Sequence, residues 1–128
     1  FEFNERKKLN LGHTVGHAIE SYLLNKNTST LHGFAIAYGM ILEAFISYKI
    51  GLTTKRIAEE IKVELTRFFK QLIVFNIDIY HVIDLMLNDK KNNTSKINFS
   101  LPKDIGEVQI DVELDKNEVQ AILKEFNI

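Results

Sequence analysis

The chain has no cysteine, a single proline and almost no net charge, with 16 lysines and arginines against 17 aspartates and glutamates. Without cysteine there is no disulfide scaffold, no thiolate zinc site and no cysteine nucleophile. That composition fits a reducing compartment, and a cytoplasmic location is expected. Balanced charge leaves no electrostatic footprint for nucleic acid or an anionic membrane, and neither is expected as a partner. The longest apolar run, Phe34 to Ile46, is too short to span a membrane and carries Glu43. It reads as a helix buried on most sides, with Glu43 either partnered or reaching water at one edge. Also missing are repeats, low-complexity tracts, Pro/Gly-rich linkers and a visible secretory signal. At 128 residues one domain is expected. The start at Phe1-Glu2-Phe3, without Met, suggests a piece of a longer protein.

The periodicity predicts a mostly helical chain. Asn10 precedes a helical pattern running to about Leu24, with Ala18, Ile19, Tyr22 and Leu23 on its apolar side. Asn25 to Thr30 is a polar loop. A second helix runs from about Gly33 to Lys49 and stops at Gly51 in the C′ position. Thr53 or Thr54 caps a third helix, whose stripe is Ile57, Ile61, Leu65, Phe68 and Leu72. Asp78 caps a fourth through Val82, Leu85 and Met86, and Asn88 to Lys96 is a basic loop. Residues 97–101 and 108–112 alternate around a turn at Pro102 to Gly106, which predicts a small β-hairpin. Asp115-Lys-Asn-Glu118 resembles a capping box opening a last helix along Val119, Ile122, Leu123 and Phe126.

What the chain does have is a concentration of imidazole. Three of its four histidines fall in Gly12-His13-Thr14-Val15-Gly16-His17 and Leu31-His32-Gly33. His13 and His17 are four residues apart and share one helix face. Gly12 and Gly16 remove side chains beside them, at about 1 kcal/mol for each mid-helix glycine relative to alanine. That cost points to close packing or to a site. Histidine is both the commonest metal ligand and a common acid–base group. The plain alternative is histidines that only satisfy hydrogen bonds. Thr14 stands where a zincin protease needs glutamate, which disfavours that class. His81, away from the cluster, reads as structural or exposed.

The string Arg6-Lys-Lys-Leu-Asn10-Leu-Gly-His13-Thr-Val-Gly-His17-Ala-Ile-Glu20 resembles the signature of 3-dehydroquinate synthase. Leu31-His32-Gly33, Gly39-Met40, Asn88-Asp89-Lys90-Lys91-Asn92 and the hairpin with Leu101-Pro102 and Ile105-Gly106 follow in the family's order. The resemblance covers essentially the whole chain and implies the family's C-terminal, mainly helical, metal-binding domain, with the small hairpin near residues 97–112. It implies that an N-terminal NAD-binding domain is the missing partner and that the full-length enzyme is a homodimer. It assigns His13 and His32 as two ligands of a catalytic zinc or cobalt ion, the third being a glutamate upstream. His17 becomes a catalytic group hydrogen-bonding the substrate and assisting proton movement. Arg6 contacts the substrate carboxylate, Asn10 lies in the same pocket, and Lys90 or Lys91 contacts the phosphate.

The implied substrate is a seven-carbon keto-acid phosphate. NAD+ oxidises one hydroxyl, phosphate is eliminated, and reduction and ring closure follow. The metal acts as a Lewis acid, while the cationic side chains hold the two anionic ends. One departure is Phe34, where the family usually has glutamate after His-Gly. A variable outer position is the preferred explanation, although outer-shell changes cost about 10- to 100-fold in metal affinity or activity at some sites. Related sugar-phosphate cyclases, such as 2-deoxy-scyllo-inosose synthase, share the metal histidines and form the alternative enzyme. Polyol and alcohol dehydrogenases share the architecture but give Arg6, Asn10 and the Asp89-Lys90-Lys91 set no role. A non-catalytic helical module is the alternative from another class. Without the NAD site and the third ligand, this chain alone is expected to be inactive.

Overall fold

The computed structural model describes residues 12–25, 32–68, 78–89, 96–104 and 106–126. In chain order these form α1 (His13–Asn25), α2 (His32–Lys49), α3 (Lys55–Phe68), α4 (Ile79–Asp89), β1 (Lys96–Asp104), β2 (Glu107–Asp115) and α5 (Lys116–Lys124). The mainly helical class with one hairpin is as the periodicity implies. The loops expected over residues 25–30 and 88–96 are shorter at their ends: Asn25 closes α1, Asn88 and Asp89 belong to α4, and Lys96 opens β1. Residues 26–30 and 90–95 lie outside the described residues, as does Leu72 at the end of the α3 stripe. No helix among the described residues is long and apolar enough to cross a membrane.

The apolar run from Phe34 becomes the central helix. Along α2, Phe34, Ala35, Ala37, Tyr38, Ile41, Leu42, Ala44 and Ile46 are all buried. A helix apolar on most sides must be covered on most sides, and α2 packs against α1, α3, β1 and α5. Val15, Ala18, Ile19 and Tyr22 of α1 close one flank. Burial away from water pushes the Tyr38 phenol up to about 12.

Polar residues start and stop these helices where their chemistry requires. The C-terminus of α2 is a Schellman turn: Gly51 has φ +83°, its N–H donates to the Tyr48 carbonyl at 3.0 Å, and the Leu52 N–H donates to the Ser47 carbonyl at 2.9 Å. Thr54 rather than Thr53 caps α3, its hydroxyl accepting from the Ile57 N–H at 3.2 Å. The Thr53 hydroxyl instead donates to the Lys103 carbonyl at 2.9 Å, and the Ser47 hydroxyl donates to the Pro102 carbonyl. Both bonds pin the end of α2 to β1. Asp78 accepts from the Tyr80 and His81 N–H groups at the start of α4, and Asp115 accepts from the Asn117 N–H at the start of α5. The α3 stripe is only partly used. Ile57 and Ala58 are buried, but Phe68 at its end is 79% exposed.

The hairpin is longer than its alternation suggests. Pro102 to Gly106 was expected as the turn, yet β1 continues through Pro102 to Asp104, pairing Pro102 with Val108 and Asp104 with Glu107. Proline fits within a strand where the ladder is irregular, and the register shifts between Pro102 and Asp104. A second shift between Phe99 and Leu101 buries Ser100, which strict alternation would expose. A two-stranded hairpin is marginal alone. Here Ile97, Phe99 and Leu101 are each 0% exposed, and fully burying such side chains contributes about 1.5–3 kcal/mol apiece.

The Schellman turn gives a clean prediction. A Cβ on Gly51 meets nothing within 4 Å, so Gly51→Ala carries only the left-handed backbone cost, about 1–2 kcal/mol. Urea denaturation should show a lower midpoint with an unchanged slope.

Candidate metal and substrate site

The histidine string becomes the first turns of two crossing helices. His13 is the first residue of α1 and His32 the first residue of α2. The crossing is made through glycine. A Cβ on Gly39 of α2 would collide with the Gly12 carbonyl and come within 2.7 Å of the Gly16 nitrogen. A Cβ on Gly12 would meet Met40 Cγ at 2.6 Å and the Ile36 carbonyl at 2.9 Å. Backbone therefore lies against backbone. Both glycines flanking the histidines serve this approach, but only Gly16 is mid-helix and carries the propensity cost; Gly12, expected to share it, precedes α1 with φ +82°.

His13 follows Gly12 and His17 follows Gly16, so both flank the crossing. His32 lies four residues before Ile36, about 6 Å along the axis. By spacing, residues 32, 36, 39 and 43 form one stripe on α2. His13 and His17 thus flank the crossing on α1, and His32 opens the helix that crosses it. His17 is exposed there on α1.

The start of α1 has an unusual cap. Asn10, expected before this helix, lies outside the described residues. Gly12, with φ +82°, accepts the first intrahelical bond, from the Gly16 N–H at 2.7 Å. Glycine offers no side chain to the open N–H groups of the first turn. Glu43, fully buried on α2, supplies it: Oε1 accepts from the Gly12 N–H at 2.6 Å and Oε2 from the Val15 N–H at 3.4 Å. Those are the two donors that a capping box satisfies with two local side chains. A single carboxylate from another helix does both, and its negative charge sits favourably at the positive end of α1. Hydrogen bonds to charged groups contribute about 1.5–3 kcal/mol each, and leaving a buried N–H unpaired carries a similar penalty.

The hairpin approaches the same turn. The Thr14 hydroxyl donates to the Asn98 carbonyl at 3.5 Å, and the Asn98 amide donates to Asp111 at 3.3 Å. Asp111 has φ +54°, a strained conformation for a residue with a side chain.

Several expected site residues cannot be placed. Arg6, Asn10, Lys90 and Lys91 lie outside the described residues, as do the side chains of His13 and His32. Two imidazoles and no thiolate suit zinc or cobalt, so the donor chemistry fits such an ion. Among the described residues no group of three or more His, Cys, Asp or Glu could hold a metal. On the described residues alone the donor set is therefore incomplete.

Two other residues resolve simply. His81 packs edge-on against Tyr22 at 5.3 Å, joining α4 to α1, as its structural reading requires. Phe34 belongs to the buried core, which explains how an apolar side chain is tolerated beside His32 and Gly33. The residue that sequence reasoning left unassigned is Glu43's role. Its signals were a lone carboxylate in an apolar helix and a helix start with glycine as its cap.

A family model described as the 3-dehydroquinate synthase C-terminal domain matches residues 1–92. The chain belongs to this family. Proteins named 3-dehydroquinate synthase are similar to the chain over most of its length. That of Parabacteroides distasonis is 35% identical over 115 residues, covering 89% of this chain and 32% of the relative. That of Thermodesulfovibrio yellowstonii is 37% identical over 121 residues, covering 94% and 33%. The Picrophilus torridus enzyme is 39% identical over 127 residues, covering 95% and 36%. The chain therefore spans about a third of the length of these dehydroquinate synthases. Among solved structures, 2-deoxy-scyllo-inosose synthase with carbaglucose-6-phosphate, NAD+ and Co2+ superposes with a TM-score of 0.75 at 24% identity, covering 91% of this chain and 32% of that one. The 2-epi-5-epi-valiolone synthase of Streptomyces hygroscopicus, with NAD+ and Zn2+, gives 0.67 at 19%, covering 90% and 31%. These two share the fold of this dehydroquinate synthase domain.

The glycine crossing predicts an inverted response to alanine. Gly39→Ala should gain about 1 kcal/mol of helix propensity, yet lose about 1–3 kcal/mol net, because backbone cannot move aside as a side chain can. Equilibrium denaturation of the variant checks the sign. An increase in stability would contradict the backbone contact.

Proposed function

We propose that the full-length protein is a 3-dehydroquinate synthase, converting 3-deoxy-D-arabino-heptulosonate 7-phosphate to 3-dehydroquinate and phosphate. The observation that carries this reading is the family match, supported by His13 and His17 flanking the glycine crossing and His32 opening the helix that crosses it. The reaction belongs to aromatic amino-acid biosynthesis, and the protein would work in the cytoplasm as a homodimer.

In this reading His13 and His32 would hold a divalent zinc or cobalt ion together with a carboxylate contributed from upstream of Phe1. When bound, such an ion lowers the pKa of a substrate hydroxyl and so eases hydride loss to NAD+. This chain's own part is to fix and neutralise the substrate. Arg6 pairs with the carboxylate, and Asn10 adds a polar contact beside it. Lys90 or Lys91 pairs with the phosphate, so that the two anionic ends hold the carbon chain in register through successive steps. His17, exposed beside the crossing, hydrogen-bonds the substrate and assists proton movement. NAD+ would be held by a domain outside this chain.

A related sugar-phosphate cyclase is the second reading, favoured by the fold match to 2-deoxy-scyllo-inosose synthase. The seven-carbon keto-acid phosphate separates the two. Full-length protein should release phosphate from it and form dehydroquinate in the presence of NAD+. No release would defeat the assignment. His13→Ala and His32→Ala should each strip zinc from the full-length protein, measured by elemental analysis. Unchanged zinc in both would sink the metal reading. Residues 1–128 alone should show no turnover.

A further inference from the structure

Glu43 is a positioning residue for the histidine-bearing turn: we propose that its buried carboxylate sets the metal affinity of the site without touching the metal. The proposal rests on the reading above that His13 is a metal ligand. It stands on geometry that the reading did not use.

Glu43 bonds to the backbone on both sides of His13. Gly12 precedes that residue and Val15 follows it by two, and their N–H groups meet the two oxygens of the same carboxylate at 2.6 and 3.4 Å. Gly12 brings no capping side chain of its own. The carboxylate itself is held in place because α2 is the buried centre of the fold and Glu43 is 0% exposed on it. Four residues earlier on the same stripe, Gly39 brings the Gly12 carbonyl and the Gly16 nitrogen against α2. The first turn of α1 is thus fixed to α2 at two successive positions, and His32 begins that same helix. Glu43 therefore couples the position of His13 to the helix carrying His32.

Removing the carboxylate should loosen the geometry between these two positions more than it loosens the core. Helices that position ligands act as outer-shell supports, and losing such support weakens metal affinity by about 10- to 100-fold. Glu43→Gln keeps one acceptor oxygen but turns its amide donors toward a backbone donor. It should restore part of the hold.

The test uses zinc affinity of the full-length protein, measured by competition with a chelator, alongside thermal stability. Four variants are compared: His13→Ala, Glu43→Ala, Glu43→Gln and Leu123→Ala. Leu123 lies on α5, which packs on α2, α4 and β2, and is 1% exposed, so its truncation destabilises the core away from α1. Glu43→Ala should bind zinc about 10- to 100-fold more weakly than wild type, with Glu43→Gln between them. Leu123→Ala should lose thermal stability but keep wild-type affinity. If Glu43→Ala does not fold, Glu43→Gln alone decides. Wild-type affinity in the folded Glu43 variants, with His13→Ala depleted of zinc, overturns the positioning role. An equal loss of affinity in Leu123→Ala also overturns it, by reducing the effect to general destabilisation. Retained zinc in His13→Ala would instead defeat the metal reading on which the proposal stands.

Discussion

A helix that begins on glycine, deep against another helix, leaves N–H groups where water does not reach them. The start of α1 is in that position, and the buried carboxylate of Glu43 is its remedy. The two features require each other. A carboxylate in an apolar helix would be costly without donors, and the donors would be costly without an acceptor. The glycine crossing brings them together, since any larger residue at position 39 would hold α1 away from α2. The arrangement of the histidine positions follows from this contact.

The C-terminal end of α2 is fixed differently. Its last turn closes on Gly51, after which Thr53 and, within the helix, Ser47 send hydroxyl bonds to successive carbonyls of β1. Pro102 accepts one of them while lacking an N–H of its own, so the strand gains a partner where its ladder is weakest. β1 in turn buries Ile97, Phe99 and Leu101 and carries Asn98, whose carbonyl meets Thr14 at the first turn of α1. The hairpin therefore links the C-terminal end of α2 to the first turn of α1. Sequence distance is large throughout: these contacts join residues dozens of positions apart, and chain periodicity does not encode them.

That difference explains what could be read from the sequence. Helix α2 was legible because an apolar run ending in glycine leaves few alternatives. The caps at Asp78 and Asp115 were legible because capping is a local bond. The hairpin was found but cut short, since proline and glycine normally announce a turn and the shifted register that admits Pro102 leaves no local trace. Thr53 and Thr54 were interchangeable on paper; only a strand fifty residues away separates their roles. At the site, the flanking glycines and the isolated Glu43 were visible as anomalies. Their meaning was not, because a cap supplied across thirty-one residues satisfies no local pattern. The chemical roles of Arg6, Asn10, His13, His17, His32, Lys90 and Lys91 came through family resemblance, not through periodicity.

Residues 13 and 32 both open their helices, and the first turn is where a helix has fewest bonds of its own. Such turns open at far lower cost than the core and set the slow tail of amide exchange only when something clamps them. A ligand bridging these two positions would therefore meet, on α1, a turn already closed by Glu43. Its stabilisation would be local and would leave the apolar centre of α2 almost unchanged. The start of α1 is clamped by a carboxylate that belongs to α2, so the two helices share one energetic fate there.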